Sequence, residues 1–326
     1  MTAQTRKKRA LVTGGAGFIG SHVADLFISC GFDVDIIDDM STGKRANLPQ
    51  AARFHEVSVA SPEAAQIVRQ GRFDVILHVA GQIDVRKSVA DPINDATINI
   101  LGTLNLLEAL HQSAKKARFV FTSTGGAIYG DFNRPPNVEN FPKDPESPYA
   151  ISKLSAEYYM AYYGRLHGLE CATVRFGNVY GPRQDPHGEA GVVAIFCTRI
   201  LEGKALTIFG DGTQTRDYVY VGDVANAVWI AGTEGLPPAE KVDARAFNIG
   251  TGVGTSVLDL AQMLQAQTGS SLPIEFAPRR AGEQQESFLD VSKARDVLGW
   301  TPRTQLPEGL LKSFEWASFN RQAHKA

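Results

Sequence analysis

The chain has 326 residues, of which 43% are hydrophobic and 21% charged, as in a globular protein of one large or two modest domains. Its 33 basic and 35 acidic residues give a formal net charge of −2, which gives no sign of a nucleic-acid or membrane partner. No apolar run approaches the ~18 residues of a membrane span. The first residues also lack a secretory signal pattern, so we expect a cytoplasmic protein.

Short apolar runs alternate with helical patterns through the first half of the chain. Several runs show no polar alternation, which is typical of strands buried on both faces of a parallel sheet. We therefore predict an α/β fold with a doubly wound parallel sheet. The predicted strands are Ala10–Thr13, Val34–Ile37, Val75–Val79, Phe119–Thr122 and Ala172–Phe176.

The alternation ends near residue 178, where Gly and Pro become frequent and the elements shorten. This change predicts a second, smaller, mixed α/β domain that binds substrate. We assign residues 1–178 and about 221–248 to the first domain, and residues 179–220 and 249–326 to the second.

Gly14, Gly17 and Gly20 follow the first predicted strand and open a predicted helix, Ile19–Phe27. The spacing G-x-x-G-x-x-G in that context predicts a Rossmann-type dinucleotide site. The glycines permit the tight turn, the approach of a pyrophosphate to the backbone and the packing of helix on strand, while the helix N-terminus attracts the phosphates. A second run, Gly250, Gly252 and Gly254, lacks this spacing and has no acidic strand end after it, so we interpret it as an ordinary loop.

Asp38 ends the second predicted strand, 18 residues after Gly20. A carboxylate there accepts hydrogen bonds from the ribose hydroxyls of NAD and repels a 2′-phosphate, so we predict NAD. Asp39 competes for this role, and Lys44 and Arg45 could tolerate NADP.

Tyr149 and Lys153, in SPYAISK, are four residues apart and would share one face of a helix. An ammonium beside a phenol favours the phenolate and lowers a pKa that starts near ~10, so such a tyrosine can act as a general base. The pattern Y-x-x-x-K is common by chance. It becomes specific here because it follows the glycine loop and a strand ending in Thr122, Ser123 and Thr124, whose hydroxyls could hold a reacting hydroxyl of the substrate.

These motifs resemble the extended short-chain dehydrogenases/reductases of the NAD-dependent nucleotide-sugar epimerase/dehydratase family, and most of all the UDP-hexose 4-epimerases. The resemblance extends from about residue 9 to about residue 303. It is carried in order by TGGAGFIGSH, DDMSTGKRANL, HVAGQIDVRKSV, NILGTLNLLEA, STGGAIYGD, SPYAISK, RFGNVYGPRQ, GDGTQTRDYVYVGDV, RRAGE and LDVSKARDVLGW.

The resemblance implies a role for each matching residue. Tyr149 matches the catalytic base, Lys153 its partner that also holds the nicotinamide ribose, and Thr124 the catalytic Ser/Thr, with Ser123 beside it. On the cofactor side it adds Phe18, Ile19, Ala80 and Asn99.

On the substrate side, Asn178 matches the residue that contacts the nucleotide-sugar phosphates. Arg216 and Arg280 match the arginines that grip the UDP diphosphate, and Glu283 resembles the acidic residue near the uridine ribose. The guanidinium fork suits a diphosphate. The alternatives are that the arginines form structural ion pairs and that Asn178 is a turn residue.

The family's members begin alike: the tyrosine takes the proton of the sugar 4-hydroxyl, and a hydride passes from C4 to NAD. The 4,6-dehydratases place Asp-Glu directly after the catalytic threonine, and the decarboxylating relatives place a glutamate there. Here Gly125, Gly126 and Ala127 follow Thr124, so no acid or base is available. We predict 4-epimerisation, in which the 4-keto sugar turns over and the hydride returns to its other face.

Three positions bear on the identity of the sugar. Ser287 falls where some epimerases carry a bulky tyrosine, so UDP-glucose/UDP-galactose and also the N-acetylhexosamines are predicted substrates. Arg86 and Lys87 raise UDP-glucuronate as a further candidate, or they are solvated surface charges. A 4-reductase on the same scaffold is an alternative. A catalytically dead NAD-binding regulator would need a broken Tyr/Lys pair, which this chain does not have.

Three further expectations concern assembly, metals and thiols. The family implies a homodimer joined through helices at 93–112 and 149–166. The seven histidines show no metal-ligand spacing, so we expect no metal site. Cys30, Cys171 and Cys197 are far apart in apolar stretches, which predicts buried free thiols of a reducing compartment.

Overall fold

The computed structural model describes residues 6–131, 133–187, 191–279 and 284–323. The chain forms two units. Unit 1 contains the chain up to Ser123 together with Ser147–Val174 and Ala225–Ala246. Unit 2 contains Thr124–Glu146, Arg175–Val224 and the chain from Phe247 onward.

A seven-stranded sheet is built in the order β11-β6-β5-β4-β1-β2-β3. The pairs β1–β2, β1–β4, β2–β3 and β4–β5 are parallel. The predicted doubly wound α/β fold is confirmed. The strands are β1 (Arg9–Thr13), β2 (Asp33–Asp38), β3 (Arg53–Glu56), β4 (Val75–His78), β5 (Arg118–Thr124), β6 (Cys171–Phe176) and β11 (Ala246–Ile249).

Two of these strands, β3 and β11, were not among the predicted five. The edge strand β3 reads RFHE and is half-buried or exposed along its whole length, so it carries no apolar run to mark it. Strand β11 is only four residues long, although all four are buried.

Two helices of unit 1 start at a serine whose side chain caps the helix. Ser61 and Ser147 accept hydrogen bonds from Ala64 N and Ala150 N at the starts of α2 and α6. The helices that lie wholly in this unit are α1 (Phe18–Ser29), α2 (Pro62–Gly71), α3 (Val85–Ala90), α4 (Pro92–Ala96), α5 (Gly102–Gln112) and α6 (Pro148–His167).

The segment Thr97–Leu101 between α4 and α5 is a π-helix turn. Such turns are rare and occur often at functional sites. Its one buried residue is Asn99.

Strands and helices of unit 1 bury an apolar core between them. Leu11, Ile76 and Phe119 from the sheet pack with Leu106 of α5 and Met160 of α6. Burial of this kind contributes roughly 25 cal/mol per Å² of apolar surface, so the core, rather than local propensity, holds the strand ends in place.

Unit 2 contains three small sheets and its own core. Two of the sheets have two strands each, β10 with β7 and β13 with β8, and the third has three strands in the order β12-β9-β14. Phe196, Leu206, Ile208 and Leu260 form the centre of the core. The strands of these sheets are β7 (Asn178–Tyr180), β8 (Leu206–Phe209), β9 (Thr215–Arg216), β10 (Tyr218–Tyr220), β12 (Thr255–Ser256), β13 (Ile274–Ala277) and β14 (Glu286–Ser287). The remaining helices are α7 (Val192–Glu202), α8 (Val221–Thr233, which begins in unit 2 and continues in unit 1), α9 (Val257–Thr268), α10 (Ser292–Leu298) and α11 (Leu306–Ala323).

The unit boundaries and the predicted domain boundaries differ at residues 124–146, and by a few residues at 175–178, 221–224 and 247–248. Residues 124–146 lie in unit 2, whereas the predicted first domain runs through residue 178. The segment contacts its own unit through long-range hydrogen bonds, such as Gly125 N to Phe176 O and Asn248 N to the Glu139 carboxylate. Sequence position alone carries no sign of such contacts.

All three cysteines are free thiols, but only Cys171 and Cys197 are buried. The prediction is wrong for Cys30, which is exposed because it follows the last residue of α1 and caps that helix. Among the described residues, no helix is long and apolar enough to cross a membrane.

Candidate active site

The first glycine run of unit 1 forms a tight backbone cradle. Gly14 has a φ of +70°, and a Cβ there would lie 2.7 Å from Ala80 N. A Cβ on Gly20 would lie 2.0 Å from Gly14 O. No side chain fits at either position, so the loop turns sharply and α1 packs directly on it.

The N-terminus of α1 has no side-chain cap. Gly17 is the N-cap residue, and among the described residues no side-chain cap hydrogen bond reaches the first turn. Phe18 and Ile19 begin the helix, so their N–H groups belong to the donors that an α-helix leaves without an internal partner. Twelve residues of helix and a bare N-terminus suit the phosphate groups of a dinucleotide.

Asp38 and Asp39 have different surroundings. The Asp38 carboxylate is buried and accepts hydrogen bonds from Ala16 N at 3.0 Å and Met40 N at 2.9 Å. Burial raises the pKa of Asp38, and these two hydrogen bonds oppose the rise. Asp39 is exposed, and among the described residues its carboxylate accepts a hydrogen bond from Ser41 N alone. Asp38 is therefore the carboxylate attached to the glycine loop.

A buried chain of hydrogen bonds connects this loop to the π-helix turn. Ala80 N donates to Thr13 Oγ1 at 3.1 Å, so the Thr13 hydroxyl is free to donate to His78 Nδ1, 2.7 Å away. His78 Nε2 lies 2.9 Å from Thr103 Oγ1, which itself donates to Asn99 O. This arrangement needs a neutral imidazole protonated on Nε2. Burial lowers the pKa of His78 to about 3 and keeps it neutral.

Lys153 is buried at the ends of β4 and β5. Its Nζ donates to Thr122 O at 3.1 Å and lies 4.8 Å from the centre of the Phe121 ring. A Cβ on Gly81 would be 2.7 Å from Asn99 Oδ1 and 3.0 Å from Lys153 Nζ, so these two side chains share one small space. Burial lowers the pKa of Lys153 to about 8.

Tyr149 lies at the start of α6, with Ser147 as the N-cap and Pro148 as the first helical residue. It is half-buried, and the unbroken helix places it on the same face as Lys153. The hydroxyl of Ser123 is buried and has no hydrogen-bond partner among the described residues, so it is available to a ligand. Thr124 follows it as the last residue of β5.

Unit 1 thus fits a dinucleotide. The glycine cradle admits a pyrophosphate, the uncapped helix supplies donors, and the Asp38 carboxylate ends the neighbouring strand. Asn99 and Lys153 would contact the nicotinamide end.

The predicted substrate residues of unit 2 converge on the glycines that follow Thr124. A Cβ on Gly126 would lie 3.8 Å from Asn178 Oδ1 and 4.0 Å from Ser287 Oγ. A Cβ on Gly125 would lie 2.6 Å from the Leu289 side chain, so an acidic side chain there would have to displace Leu289. Ser287 is buried, whereas Asn178 is exposed.

Arg216 belongs to the same cluster, since β9 pairs it with Ser287 of β14 and with Thr255 of β12. The one hydrogen bond described for its guanidinium goes to Thr215 O at 2.7 Å. Arg280 and Glu283, the remaining predicted substrate residues, lie outside the described residues.

Asp217 is a buried neighbour of the predicted substrate residues that the sequence analysis did not single out. Its carbonyl accepts a hydrogen bond from Asn178 N at 2.6 Å, and its carboxylate accepts from Leu289 N at 3.2 Å. It therefore joins the strands that carry Asn178, Arg216 and Ser287. Its position directly after Arg216 was the only sequence signal.

The second glycine run closes around the same carboxylate. Thr251 N and Oγ1 each donate to Asp217 Oδ1 at 2.7 Å, and Gly252 N donates to Oδ2 at 3.2 Å. A Cβ on Gly250 would lie 2.3 Å from Oδ2. Burial raises the pKa of Asp217, and these hydrogen bonds oppose the rise. The run is therefore a loop, as interpreted, but one built around an internal anion.

Two features outside this cluster bear on other functions. Arg86 pairs with Asp84 through Nε–Oδ1 at 3.2 Å and Nη2–Oδ2 at 3.1 Å, as a surface charge would. In the described part of the chain, no group of three or more His, Cys, Asp or Glu side chains could hold a metal ion.

Comparison with known proteins gives consistent similarities. Residues 10–250 match the sequence model of the NAD dependent epimerase/dehydratase family. A UDP-glucose 4-epimerase of Mycolicibacterium smegmatis is 42% identical over 313 residues, which cover 94% of this chain and 98% of the relative.

Two solved structures are similar over nearly the whole chain. The UDP-glucose 4-epimerase of Thermotoga maritima, solved with UDP-glucose, has a TM-score of 0.91 and 44% identity, covering 96% of this chain and 99% of that one. The UDP-glucose 4-epimerase of Thermus thermophilus, solved as a complex with NAD, has a TM-score of 0.87 and 41% identity, covering 94% of this chain and 98% of that one.

Proposed function

The chain belongs to the NAD-dependent epimerase/dehydratase family, and on that premise we propose that it interconverts UDP-glucose and UDP-galactose by epimerisation at C4. The observation that carries the proposal is the placement of Lys153. Its ammonium is held by Thr122 O beside Asn99 and shares a helix face with Tyr149.

In this proposal Tyr149 is the general base and Lys153 its electrostatic partner. The phenolate accepts the proton of the sugar 4-hydroxyl and later returns it, while the lysine cation favours the phenolate. The hydroxyls of Ser123 and Thr124 hold the substrate's 4-oxygen. Bound NAD supplies the acceptor and donor of the hydride at C4.

The residues after Thr124 favour epimerisation over dehydration or decarboxylation. Leu289 fills the space that a side chain at Gly125 would need, so no acid or base can act on sugar C5 or C6 from that position. Arg216 and Asn178 then bind the diphosphate, and Arg280 and Glu283 have the roles that the family resemblance gave them.

The first experiment incubates the purified protein with UDP-galactose without added NAD and separates the 4-epimers by chromatography. We expect conversion, since a cofactor regenerated in each cycle can remain bound. Tyr149→Phe should lose about 10²–10⁴-fold in kcat while keeping its NAD. Absence of conversion by the unaltered protein, even with NAD added, would refute the proposed reaction.

Ser287 extends the proposal to the N-acetylhexosamines. Its small buried side chain lies beside Gly126, where a larger residue would intrude. We expect conversion of UDP-GalNAc as well, and Ser287→Tyr should lose this activity while keeping that on UDP-galactose. Equal losses on both substrates would show that Ser287 does not select the sugar. UDP-galacturonate is not expected to react, since Arg86 is engaged by Asp84.

We also propose a homodimer formed through the helices at 93–112 and 149–166. Several large apolar side chains on these helices are exposed: Ile93, Leu101, Ile151, Tyr158, Tyr162 and Leu166. Such a patch on a water-facing surface is typical of an interface. Leu166→Glu, at a side chain that is 70% exposed, should give a monomer in analytical ultracentrifugation, whereas Phe319→Glu on α11 should not.

A cytoplasmic location fits this proposal, because three unpaired cysteines suit a reducing compartment.

A further inference from the structure

Asp95 is a buried carboxylate for which the proposed chemistry has no role. It lies on α4 with none of its surface exposed. Its Oδ1 accepts hydrogen bonds from Gln82 Nε2 at 2.9 Å and from Asn99 Nδ2 at 3.0 Å. Its Oδ2 is buried with no hydrogen-bond partner among the described residues. Burying a carboxylate in this way is costly unless a cation is near.

The first consequence of Asp95 is the orientation of Asn99. Gln82 N donates to Asn99 Oδ1 at 3.1 Å, and Asn99 Nδ2 donates to Gln82 O at 2.9 Å as well as to Asp95. Both amide hydrogens and the amide oxygen of Asn99 therefore have partners. The side chain is held in one orientation before any ligand arrives.

The second consequence is electrostatic. The cation in this region is Lys153, which burial drives toward its neutral form and which Asp95, followed by Glu157, favours as the ammonium. The titratable groups that face Lys153 are Asp95 on α4, Glu157 and Tyr149 on α6, and His78 on β4. His78 is neutral, so the two carboxylates supply the negative charge.

We propose that Asp95 is a positioning residue for the epimerase reaction, which fixes Asn99 against Gln82 and keeps Lys153 charged beside Tyr149. This inference rests on the proposed function, in which Tyr149 works only while Lys153 carries its proton. A neutral Lys153 would leave the phenol of Tyr149 protonated and unable to accept the sugar proton.

The hydrogen bonds and the charge can be separated by Asp95→Asn. The amide oxygen can still accept from Gln82 and Asn99, and the amide nitrogen replaces the oxygen that has no partner. We expect kcat to fall about twofold at pH 7 and about tenfold at pH 9, with KM nearly unchanged. The alkaline limb of the kcat–pH profile should move to lower pH by about one unit.

Asp91→Asn is the matched control. Asp91 is exposed and caps the same helix, where it accepts from Asn94 N at 3.0 Å. Asp91→Asn removes an equal charge from the same helix, and its kcat–pH profile should match that of the unaltered protein. Asp95→Ser, a second uncharged variant, should reproduce the shift of Asp95→Asn, and Glu157→Gln should give a smaller one.

A titration without turnover distinguishes failure of this inference from failure of the proposed reaction. The phenolate of Tyr149 can be followed by ultraviolet difference spectra of each protein against its Tyr149→Phe counterpart. In Asp95→Asn and Asp95→Ser the phenolate should appear at higher pH than in the unaltered protein. If neither variant shifts it, the inference is wrong, whether or not UDP-galactose is converted.

Discussion

The two glycine runs of this protein look alike in sequence, but the second encloses an anion of the protein itself whereas the first leads to a helix N-terminus. The first, from Gly14 to Gly20, leads into a helix whose N-terminus has no side-chain cap. The second, from Gly250 to Gly254, donates its backbone N–H groups to the buried carboxylate of Asp217. The first is therefore open to a ligand phosphate, whereas the second is already filled by the protein itself. Clustered glycines let a backbone approach an anion closely. The surrounding residues determine whether that anion is a carboxylate of the protein or a phosphate of a ligand.

The largest expected effect comes from adding one carbon to the first run. In Gly20→Ala the new Cβ would lie 2.0 Å from the backbone oxygen of Gly14, which cannot move without displacing α1. We expect NAD affinity to fall by more than about 100-fold, since overpacking costs ~1–3 kcal/mol and the phosphate donors are displaced as well. Fluorescence titration with NADH measures it. Gly235→Ala, in the same unit with nothing within 4 Å of its Cβ, should bind normally.

A Gly→Ala change in the second run should weaken binding of the UDP-sugar rather than of NAD. In Gly250→Ala the Cβ would lie 2.3 Å from Asp217 Oδ2, which would push the carboxylate away from its donors. We expect the KM for UDP-galactose to rise by roughly 10- to 100-fold while the NAD content stays normal. Loss of NAD in this variant would contradict the division between the two runs.

Asp217→Asn should have a smaller effect of the same kind. An amide leaves one oxygen as acceptor and turns an NH₂ group toward two backbone donors, at a cost of ~1–3 kcal/mol. One donor is Leu289 N, two residues beyond Ser287, so KM for UDP-galactose should rise about tenfold. Steady-state kinetics with NAD analysis tests this. Thr251→Val removes only the hydroxyl donor to Asp217 and should change KM less.

The smallest expected effect is a pH dependence of stability that differs between the two glycine runs. His78, bonded to the strand that leads into the first run, has its pKa lowered to about 3 by burial. Its neutral form stabilises the fold fully above the unfolded value of 6.5, and this contribution is lost as pH falls toward 3. Acidification from pH 8 to pH 6 should cost about 1 kcal/mol of unfolding free energy.

The contribution of Asp217 to folding stability changes with pH in the opposite sense to that of His78, because burial raises the pKa of Asp217 above the unfolded value of 3.8. Its burial penalty is present above the folded pKa and is relieved as pH falls through that value. Hydrogen exchange corrected for intrinsic rates should thus show the amides near Thr13 losing protection from pH 8 to pH 6, and those near Thr251 keeping it. The loss near Thr13 should be absent in His78→Gln.

Much of unit 1 could be predicted because its signals are local. The five predicted strands are present because each is a short, mostly apolar run. The helix at Tyr149 begins at a Ser-Pro sequence, which is a local capping signal. Asp38 and Asp39 could not be separated by position, because only packing shows which carboxylate meets Ala16 N. In unit 2 the signals are weaker, since strands such as β9 and β14 are two residues long.

The sequence by itself determined the dinucleotide fold, the helical face shared by Tyr149 and Lys153, and the absence of an acid after Thr124. These are relations within a few residues, which backbone geometry converts directly into position. Only the tertiary structure decided that Asp217 fills the second glycine run, that Asp95 is buried beneath Asn99, and that Cys30 is exposed. Burial and hydrogen bonding depend on residues that are far apart in the chain. Which of these residues meet is determined by the packing of the whole core.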